Sequence, residues 1–298
     1  MNHRQLYHRD PIIDAEVSRL LPLGAWLRNP KVQEISLNNG RAYVDWGGSG
    51  AMRNTGVSIP ATAVRAAIRL LVAANGGYLD PAAPFANLTL ACGARFHAAL
   101  APVADEAQVS IRLHAGMGRP LTNFMTDPQV GLVTEAIAAR KTVIVGGPTA
   151  AGKSTLLNAI LDLLPADLRL IIIEDTYELQ PSADRNVVRR LATGRVDLKA
   201  QVFQALRARP DWIVIGETRD RSAWDLMDAS RTGHPTLSTV HASSAAGILT
   251  RLMSLAGCDR QFVNEAIDLA LFVERLPDGQ RKVTQILAKQ SDERWVAQ

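Results

Sequence analysis

The first part of the chain mixes apolar positions at helical spacing with short alternating runs. One helical pattern follows Asp10-Pro11, a capping residue with a proline behind it, and a second runs from Pro60 to Gly76-Gly77. Between them, two alternating runs flank Asn38-Asn39-Gly40, which predicts a β-hairpin. Three more strand-like runs cover Leu88–Ala91, Arg95–Leu100 and Val109–Leu113. These elements predict a small α+β domain over residues 1–113.

The pattern changes after a stretch rich in glycine and proline. Residues 114–128 show no clear periodicity and are predicted to be a linker. Beyond it, continuous apolar runs alternate with helical patterns; the runs are Thr142–Val145, Leu170–Ile173 and Trp212–Ile215. Buried strands with helices between them predict a parallel sheet covered on both faces. The second domain is therefore predicted over residues 129–298, and it ends in a hairpin around Pro277-Asp278-Gly279.

Length and composition agree with two ordinary globular domains. The chain has 298 residues, 47% of them hydrophobic and 21% charged. Its two cysteines exclude a disulfide framework and a four-cysteine zinc site. The first ten residues lack the apolar core of a signal peptide, and no apolar run reaches the length of a bilayer, so we expect a cytoplasmic protein. The net charge of +4 gives only weak support to nucleic-acid binding.

A phosphate-binding loop follows the first buried strand of the second domain. The sequence GPTAAGKS fits the pattern G-x-x-x-x-G-K-[ST] between an apolar strand and a helix. Its glycines let backbone N–H groups turn towards phosphate oxygens, Lys153 can reach the β and γ phosphates, and the Ser154 hydroxyl can bind Mg²⁺. The residues predicted to hold the nucleotide are Gly147, Pro148, Thr149, Ala150, Ala151, Gly152, Lys153, Ser154 and Thr155.

Acidic residues follow two further apolar runs, where a P-loop fold needs them. Glu217 stands where an acid binds metal-coordinated water, and Gly216 stands where many P-loop enzymes have an aspartate. Glu174 is the candidate for polarising the attacking water. Asp175 and Glu178 follow it closely, and the pattern leaves their roles open. A helix cap or a surface ion pair is the alternative for each acid.

One histidine and two arginines complete the candidate chemistry. His241 ends the strand-like run LSTV on the predicted phosphate side, where an imidazole can donate to the γ-phosphate or respond to its loss. His234 remains undecided. Arg95 and Arg112 lie within strand-like runs of the first domain, and the pattern alone does not choose between a solvated face and a nucleotide contact.

Four sequence blocks resemble the secretion ATPase superfamily, the hexameric motors of type IV secretion, type II secretion and type IV pili. The blocks are GPTAAGKST, IIIEDTYEL, LRARPDWIVIGETRD and TGHPTLSTVHASSA, in this order. In the first domain, PKVQEISLNNGRAYVDW, GARFHAALAPV and VSIRL resemble the conjugal-transfer branch, the TrbB-type ATPases. The resemblance extends over most of the chain, from about Leu20 to Leu287.

The resemblance implies a RecA-like P-loop ATPase domain behind a smaller α+β domain, assembled as a homo-hexamer. It implies that ATP and Mg²⁺ bind near a subunit interface and that Arg95 and Arg112 approach the γ-phosphate. Arg207 and Arg219 become further candidates. The motor would work at the cytoplasmic face of the bacterial inner membrane, peripherally attached, with other type IV secretion ATPases and inner-membrane channel components.

The sequence also departs from that family. Ala150 and Ala151 stand where glycine and serine are usual, and Thr236 replaces a glycine, but no catalytic group is lost. The small number of cysteines argues against the type II branch. The main hypothesis is an ATP-driven motor for conjugal transfer or type IV secretion. The alternatives are a type IV pilus assembly or retraction ATPase, a DNA translocase, and a nucleotide-gated scaffold with little turnover.

Overall fold

A computed structural model describes residues 11–29, 31–46, 51–90, 94–113, 119–175, 177–182, 184–192, 196–290 and 294–297. The chain divides into two compact units, Met1–Gly116 and Met117–Gln298. The division falls within the predicted linker, but the end of that linker is folded: a 3₁₀ turn occupies Leu121–Asn123 and a helix begins at Asp127. The predicted cap Asp10 and Cys92 lie outside the described residues.

The first unit is a six-stranded antiparallel sheet with helices. Its strands follow the order β3-β2-β1-β6-β5-β4. The helices are α1 (Pro11–Leu20), α2 (Gly24–Leu27) and α3 (Ala61–Ala74). The strands are β1 (Glu34–Asn38), β2 (Arg41–Asp45), β3 (Arg53–Ser58), β4 (Phe85–Thr89), β5 (Arg95–Ala99) and β6 (Gln108–Arg112).

The predicted hairpin is present at the predicted residues. Asn39 and Gly40 both have positive φ, 50° and 74°, as a two-residue turn between twisted strands requires. A side chain on Gly40 would lie 2.2 Å from the backbone oxygen of Ile59. The sequence prediction missed β3, because its side chains are nearly all exposed and give no apolar alternation. It also placed the strand at Leu88–Ala91 too late, since β4 spans Phe85–Thr89.

The second unit is an eight-stranded sheet with helices on both faces. The strand order is β14-β13-β12-β7-β11-β10-β8-β9, and the six strands from β12 to β9 run parallel. The strands are β7 (Val143–Gly147), β8 (Leu170–Glu174), β9 (Val187–Leu191), β10 (Trp212–Ile215), β11 (Thr236–His241), β12 (Leu269–Arg275), β13 (Arg281–Lys289) and β14 (Trp295–Ala297). The helices are α4 (Asp127–Ala138), α5 (Lys153–Leu161), α6 (Leu198–Leu206), α7 (Ser222–Arg231), α8 (Ala245–Ala256) and α9 (Arg260–Ala266).

The buried strands supply both apolar layers of this unit, which explains their continuous apolar sequences. Val143 and Val145 belong to one layer, together with Leu156 of α5. Ile144, between the two valines, belongs to the opposite layer with the helices α6 to α9. Successive side chains of a strand point to opposite faces, so a sheet covered twice needs an apolar residue at every position.

Parallel pairing places the carboxyl ends of four strands along one edge. His241 pairs with Gly147, and Ile215 pairs with Ile173, so β11 ends beside β7 and β10 ends beside β8. The P-loop, Glu174, Glu217 and His241 all follow from these ends. In the described part of the chain, no helix combines the length and the apolar character needed to span a bilayer.

The contact between Gly147 and β12 generates a stability prediction. A Cβ atom on Gly147 would lie 2.2 Å from the backbone oxygen of Val273, and a backbone oxygen within a sheet cannot move aside easily. We expect Gly147→Ala to lower the free energy of unfolding by about 3 kcal/mol, measured by thermal or urea denaturation. Gly131→Ala is the matched control, because nothing lies near that exposed position in α4. The control should be neutral or slightly stabilising; equal effects of the two changes would contradict the prediction.

Candidate active site

The P-loop connects β7 to α5 through two residues in the left-handed region. Gly152 has φ 98°, and Ala150 has φ 61° although it carries a side chain. An alanine in this region costs about 1 kcal/mol relative to glycine. The strain lies at one of the positions where the sequence departs from the family pattern. The loop directs the first amides of α5, which have no partner within the helix, towards the space where phosphate is expected.

Lys153 lies inside this loop. Its side chain is 8% exposed, and Nζ donates to the carbonyl oxygens of Gly147 at 3.2 Å and Pro148 at 3.1 Å. Nζ also lies 3.2 Å from Nδ1 of His241. The backbone carbonyls therefore solvate the buried ammonium and hold it at the centre of the loop.

His241 joins the loop to the second acidic motif. Its Nε2 lies 3.1 Å from Oε1 of Glu217. Because an ammonium group only donates, Nδ1 of His241 accepts from Lys153, and Nε2 carries the hydrogen that Glu217 accepts. A line of three groups runs from ammonium through imidazole to carboxylate. The structure thus brings together three residues that the sequence predicted separately.

Buried hydroxyl groups fix the two strand ends that carry Glu217 and His241. The hydroxyl groups of Thr218, just after β10, and Ser238, in β11, are hydrogen-bonded to each other at 2.7 Å. The Thr239 hydroxyl donates to the backbone oxygen of Gly216 at 2.7 Å. A backbone bond from Thr218 N to the Thr239 oxygen at 2.8 Å joins the same ends, so backbone and hydroxyl bonds together hold them next to the acid and the imidazole.

Glu178 is the acid that contacts the P-loop helix. Ser154 Oγ donates to Oε2 of Glu178 at 2.5 Å. The sequence left Glu178 undecided, and its spacing from Glu174 does not select one acid over the other. The predicted metal-binding hydroxyl is therefore paired with a carboxylate, and that carboxylate comes from the first acidic motif.

Glu174 makes different contacts from those predicted. Oε1 accepts from the backbone amides of Glu178 at 2.7 Å and Leu179 at 2.8 Å, and Oε2 accepts from Arg189 at 3.2 Å. The carboxyl group is 2% exposed, and burial raises its pKa, while the two amides and Arg189 act in the opposite direction. Both oxygens are thus engaged in holding the loop that follows. That Glu174 polarises the attacking water stays a prediction. Because both of its carboxylate oxygens are already bonded, Glu178 is the better candidate for that role.

Gly216 leaves room for Glu174. A Cβ atom on Gly216 would lie 3.0 Å from Cγ of Glu174, so an aspartate at position 216 would meet the glutamate side chain. The glycine at position 216, where an aspartate is common, therefore makes room for the buried side chain of Glu174.

The other candidates of the second unit, Asp175, Arg219, Arg207 and His234, lie in three different environments. Asp175 pairs with Arg219, beside the two acidic motifs. Arg207 lies over the ring of Phe203, 5.0 Å from its centre, and so contacts an exposed aromatic side chain of α6. Nδ1 of His234 is buried without a hydrogen-bond partner.

Arg95 and Arg112 belong to the first unit, where they occupy directly opposite positions on β5 and β6. Glu34 of β1 is opposite Arg112 on its other side. Two cations at one cross-strand position repel each other. That these two arginines contact a nucleotide stays a prediction.

A cavity of about 250 Å³ lies next to the P-loop in the second unit. It is lined by Arg119, Thr122, Asn123, Phe124, Gln280, Arg281 and Lys282. The Arg281 side chain packs over Gly152, since a Cβ atom there would lie 2.5 Å from Cδ of Arg281. Arg281 belongs to the hairpin of β12 and β13. In the sheet order this hairpin lies on one side of β7, and the strands that end at the acids lie on the other. The cavity is therefore on the side away from the acids.

The fold and the site define a RecA-like P-loop ATPase: a glycine-rich loop between a parallel strand and a helix, with acids at the ends of neighbouring strands. The family described as Type II/IV secretion system protein matches residues 53–294. The chain belongs to this family.

Similar proteins support the same assignment. In an alignment of 272 positions, the chain is 34% identical to the probable conjugal transfer protein TrbB of Sinorhizobium fredii (strain NGR234); the match covers 86% of this chain and 82% of that protein. In an alignment of 271 positions, it is 33% identical to the conjugal transfer protein TrbB of Rhizobium radiobacter; the match covers 86% of this chain and 83% of that protein. The X-ray structure of the Yersinia pseudotuberculosis ATPase DotB has the same fold, with a TM-score of 0.68 and 19% identity, covering 98% of this chain and 82% of that one.

The contacts of Glu174 predict a structural effect. Glu174→Ala would leave two backbone amides and the Arg189 guanidinium facing an empty, buried position. We expect it to lower the free energy of unfolding by about 3 kcal/mol, measured by urea denaturation. Asp184→Ala, at an exposed acid in the loop before β9, is the control and should have little effect. If Glu174→Ala were as stable as the control, the carboxylate would not support the loop.

Proposed function

We propose that the chain hydrolyses ATP to ADP and phosphate in a Mg²⁺-dependent reaction at the P-loop of the second unit. One observation carries the proposal. Lys153, His241 and Glu217 form a continuous hydrogen-bonded line, and the Ser154 hydroxyl next to Lys153 meets Glu178. Four separate segments thus bring a phosphate-binding lysine, a metal-binding hydroxyl and two acids to one place, the combination that phosphoryl transfer needs.

The nucleotide would be held in two parts. Residues 147–155 surround the phosphates with backbone amides, and Lys153 exchanges its contacts with the loop carbonyls for contacts with phosphate oxygens. The nucleoside end extends towards the cavity between the 3₁₀ turn and β13. Its lining offers amide groups from Asn123 and Gln280 together with the planar cation of Arg281. Such groups can bond to and stack on a nucleobase.

Ser154 and Glu217 are the residues proposed to hold Mg²⁺, the hydroxyl directly and the carboxylate through water. Both donate oxygen, the ligand that Mg²⁺ prefers, and Mg²⁺ takes its remaining ligands from water and phosphate. The described residues contain no group of three His, Cys, Asp or Glu side chains around one point, and Mg²⁺ does not require one. When bound, the ion supplies charge neutralisation to the phosphates.

The reaction requires a water molecule to attack the γ-phosphorus while the bond to the β–γ bridging oxygen breaks. Glu178 is the proposed acceptor of the water proton, since its carboxylate lies at Ser154, on the phosphate side of the helix. Lys153 and His241 stabilise negative charge on the transferred group. Glu174, the sequence-based candidate for activating water, is kept as the alternative to be tested beside Glu178.

Arg95 and Arg112 are proposed to contact the γ-phosphate and to couple its loss to movement. Their opposite positions on β5 and β6 concentrate two guanidinium groups, which suit a phosphate better than a single cation does. The same pair would convert phosphate release into a change of domain position.

The proposed biological role is a homo-hexameric motor for conjugal transfer or a related type IV secretion machine. The names of the two bacterial relatives support the conjugal branch. The motor would act at the cytoplasmic face of the inner membrane, peripherally bound, with other secretion ATPases and channel components as partners.

Matched glutamate variants test the acid assignments. Glu178→Gln and Glu217→Gln should keep ADP affinity and lose about 100-fold or more in turnover, because each removes a carboxylate charge with little change of shape. Turnover is measured by phosphate release, and affinity by calorimetry with ADP, with Lys153→Ala as the inactive reference. A Glu178→Gln variant with full turnover, together with an inactive Glu174→Gln variant that still folds, would transfer the water-activating role to Glu174.

A second experiment tests the arginine pair. Arg95→Ala and Arg112→Ala should each lower turnover about 10-fold or more while ADP affinity stays unchanged, because ADP lacks the γ-phosphate that they are proposed to contact. Arg53→Ala, at an exposed arginine of the edge strand β3, is the control and should turn over normally. Normal turnover in Arg95→Ala and Arg112→Ala would remove both residues from the site.

A further inference from the structure

The segment 178–180 is held in place by side chains. It lies outside helix and strand, yet five of its backbone groups have side-chain partners. Glu174 Oε1 accepts from the first two amides at 2.7 and 2.8 Å. Asn158 Oδ1 accepts from the third amide at 2.8 Å, and Asn158 Nδ2 donates to the first carbonyl at 3.4 Å. Arg189 donates to the second carbonyl at 2.7 Å.

Each of these three side chains comes from a different element. Glu174 ends β8, Arg189 lies in β9, and Asn158 lies in α5. Glu174 and Arg189 also bond to each other, so the two strand residues act as one support. Asn158 is independent of that support and binds the segment on both sides of Leu179. Asn158 therefore bonds the backbone of the segment to the P-loop helix, whereas Ser154 bonds only to the Glu178 side chain.

The position of Asn158 on α5 connects its contact with the segment to the proposed site of hydrolysis. It follows Ser154 by four residues, so both side chains lie on one face of α5. Ser154 meets the Glu178 carboxylate, and Asn158 meets the Glu178 backbone one helical turn further along. The helix that carries the metal-binding hydroxyl thus also sets the distance and direction of the acid.

We propose that Asn158 is a positioning residue, whose side-chain amide holds the Glu178 carboxylate at the Ser154 hydroxyl for hydrolysis. The inference rests on the proposed role of Glu178. Asn158 itself makes no contact with nucleotide in this proposal; it acts through the segment 178–180. Without its amide, the acid keeps the support of Glu174 and Arg189 and its contact with Ser154, but the backbone that carries the acid is no longer bonded to α5.

The test compares Asn158→Ala with the unchanged chain and with Asp162→Ala, a change at an exposed acid that directly follows the helix. Asn158→Ala should lower kcat about 10- to 100-fold, because misplacing a reacting group by about 1 Å has effects of this size. The KM for ATP, the affinity for ADP and the melting temperature should stay close to those of Asp162→Ala. Asn158→Asp keeps the acceptor for the Gln180 amide and should fall between the two in kcat, which provides a second variant if the alanine form is unstable.

A double-mutant cycle separates positioning from a general structural role. In the Glu178→Gln chain, adding Asn158→Ala should change single-turnover rates little, because the effect of Asn158 passes through the acid that is already neutralised. Fully additive losses, or a parallel loss of ADP affinity, would overturn the positioning role. So would normal kcat in both Asn158 variants.

The outcomes also distinguish this inference from the proposed function on which it rests. If Glu178→Gln is impaired and the Asn158 variants are not, Glu178 keeps its role and only the positioning by Asn158 fails. If Glu178→Gln keeps full turnover, the assignment of the acid fails, and the positioning role of Asn158 is overturned with it.

Discussion

Parallel pairing of β7, β11, β10 and β8 is the constraint on which the site depends. Parallel strands end at one edge, and the pairing of His241 with Gly147 and of Ile215 with Ile173 fixes how those ends align. Lys153 and His241, which are 88 positions apart, become neighbours only through this register. The apolar layers on both faces stabilise the sheet, and a register shift of one residue would turn every core side chain to the wrong layer.

Much of this arrangement follows from the sequence. The phosphate loop, the buried strands and the strand-end positions of Glu217 and His241 all have local signals, because a glycine pattern, a continuous apolar run or a strand end is visible in a few residues. The family could be inferred from the order of such blocks. The strand β3 could not, since its exposed side chains follow no apolar pattern. The folded end of the predicted linker also lacked periodicity, although Thr126 and Gln129 form a capping box for α4.

The acids show where local signals stop being sufficient. Glu174 and Glu178 stand four residues apart in one motif, and each has the chemistry of a water-activating carboxylate. Only the structure shows that the buried Glu174 holds two amides and an arginine, whereas Glu178 reaches Ser154. The difference arises from the direction of a strand end and from the space that Gly216 leaves open. Neither can be inferred from the spacing of the acids along the chain.

The line from Lys153 through His241 to Glu217 connects the P-loop to the second acidic motif. The imidazole accepts from the ammonium only while Nδ1 is unprotonated, so the line requires a neutral His241. In the proposed nucleotide complex, the ammonium turns to a phosphate oxygen, so Nδ1 loses its donor and the imidazole is free to rotate. Such a rotation would alter what Glu217 meets at Nε2. A strand-end histidine between a lysine and an acid is therefore suited to transmit the state of the P-loop to the residue that is proposed to hold the metal-bound water.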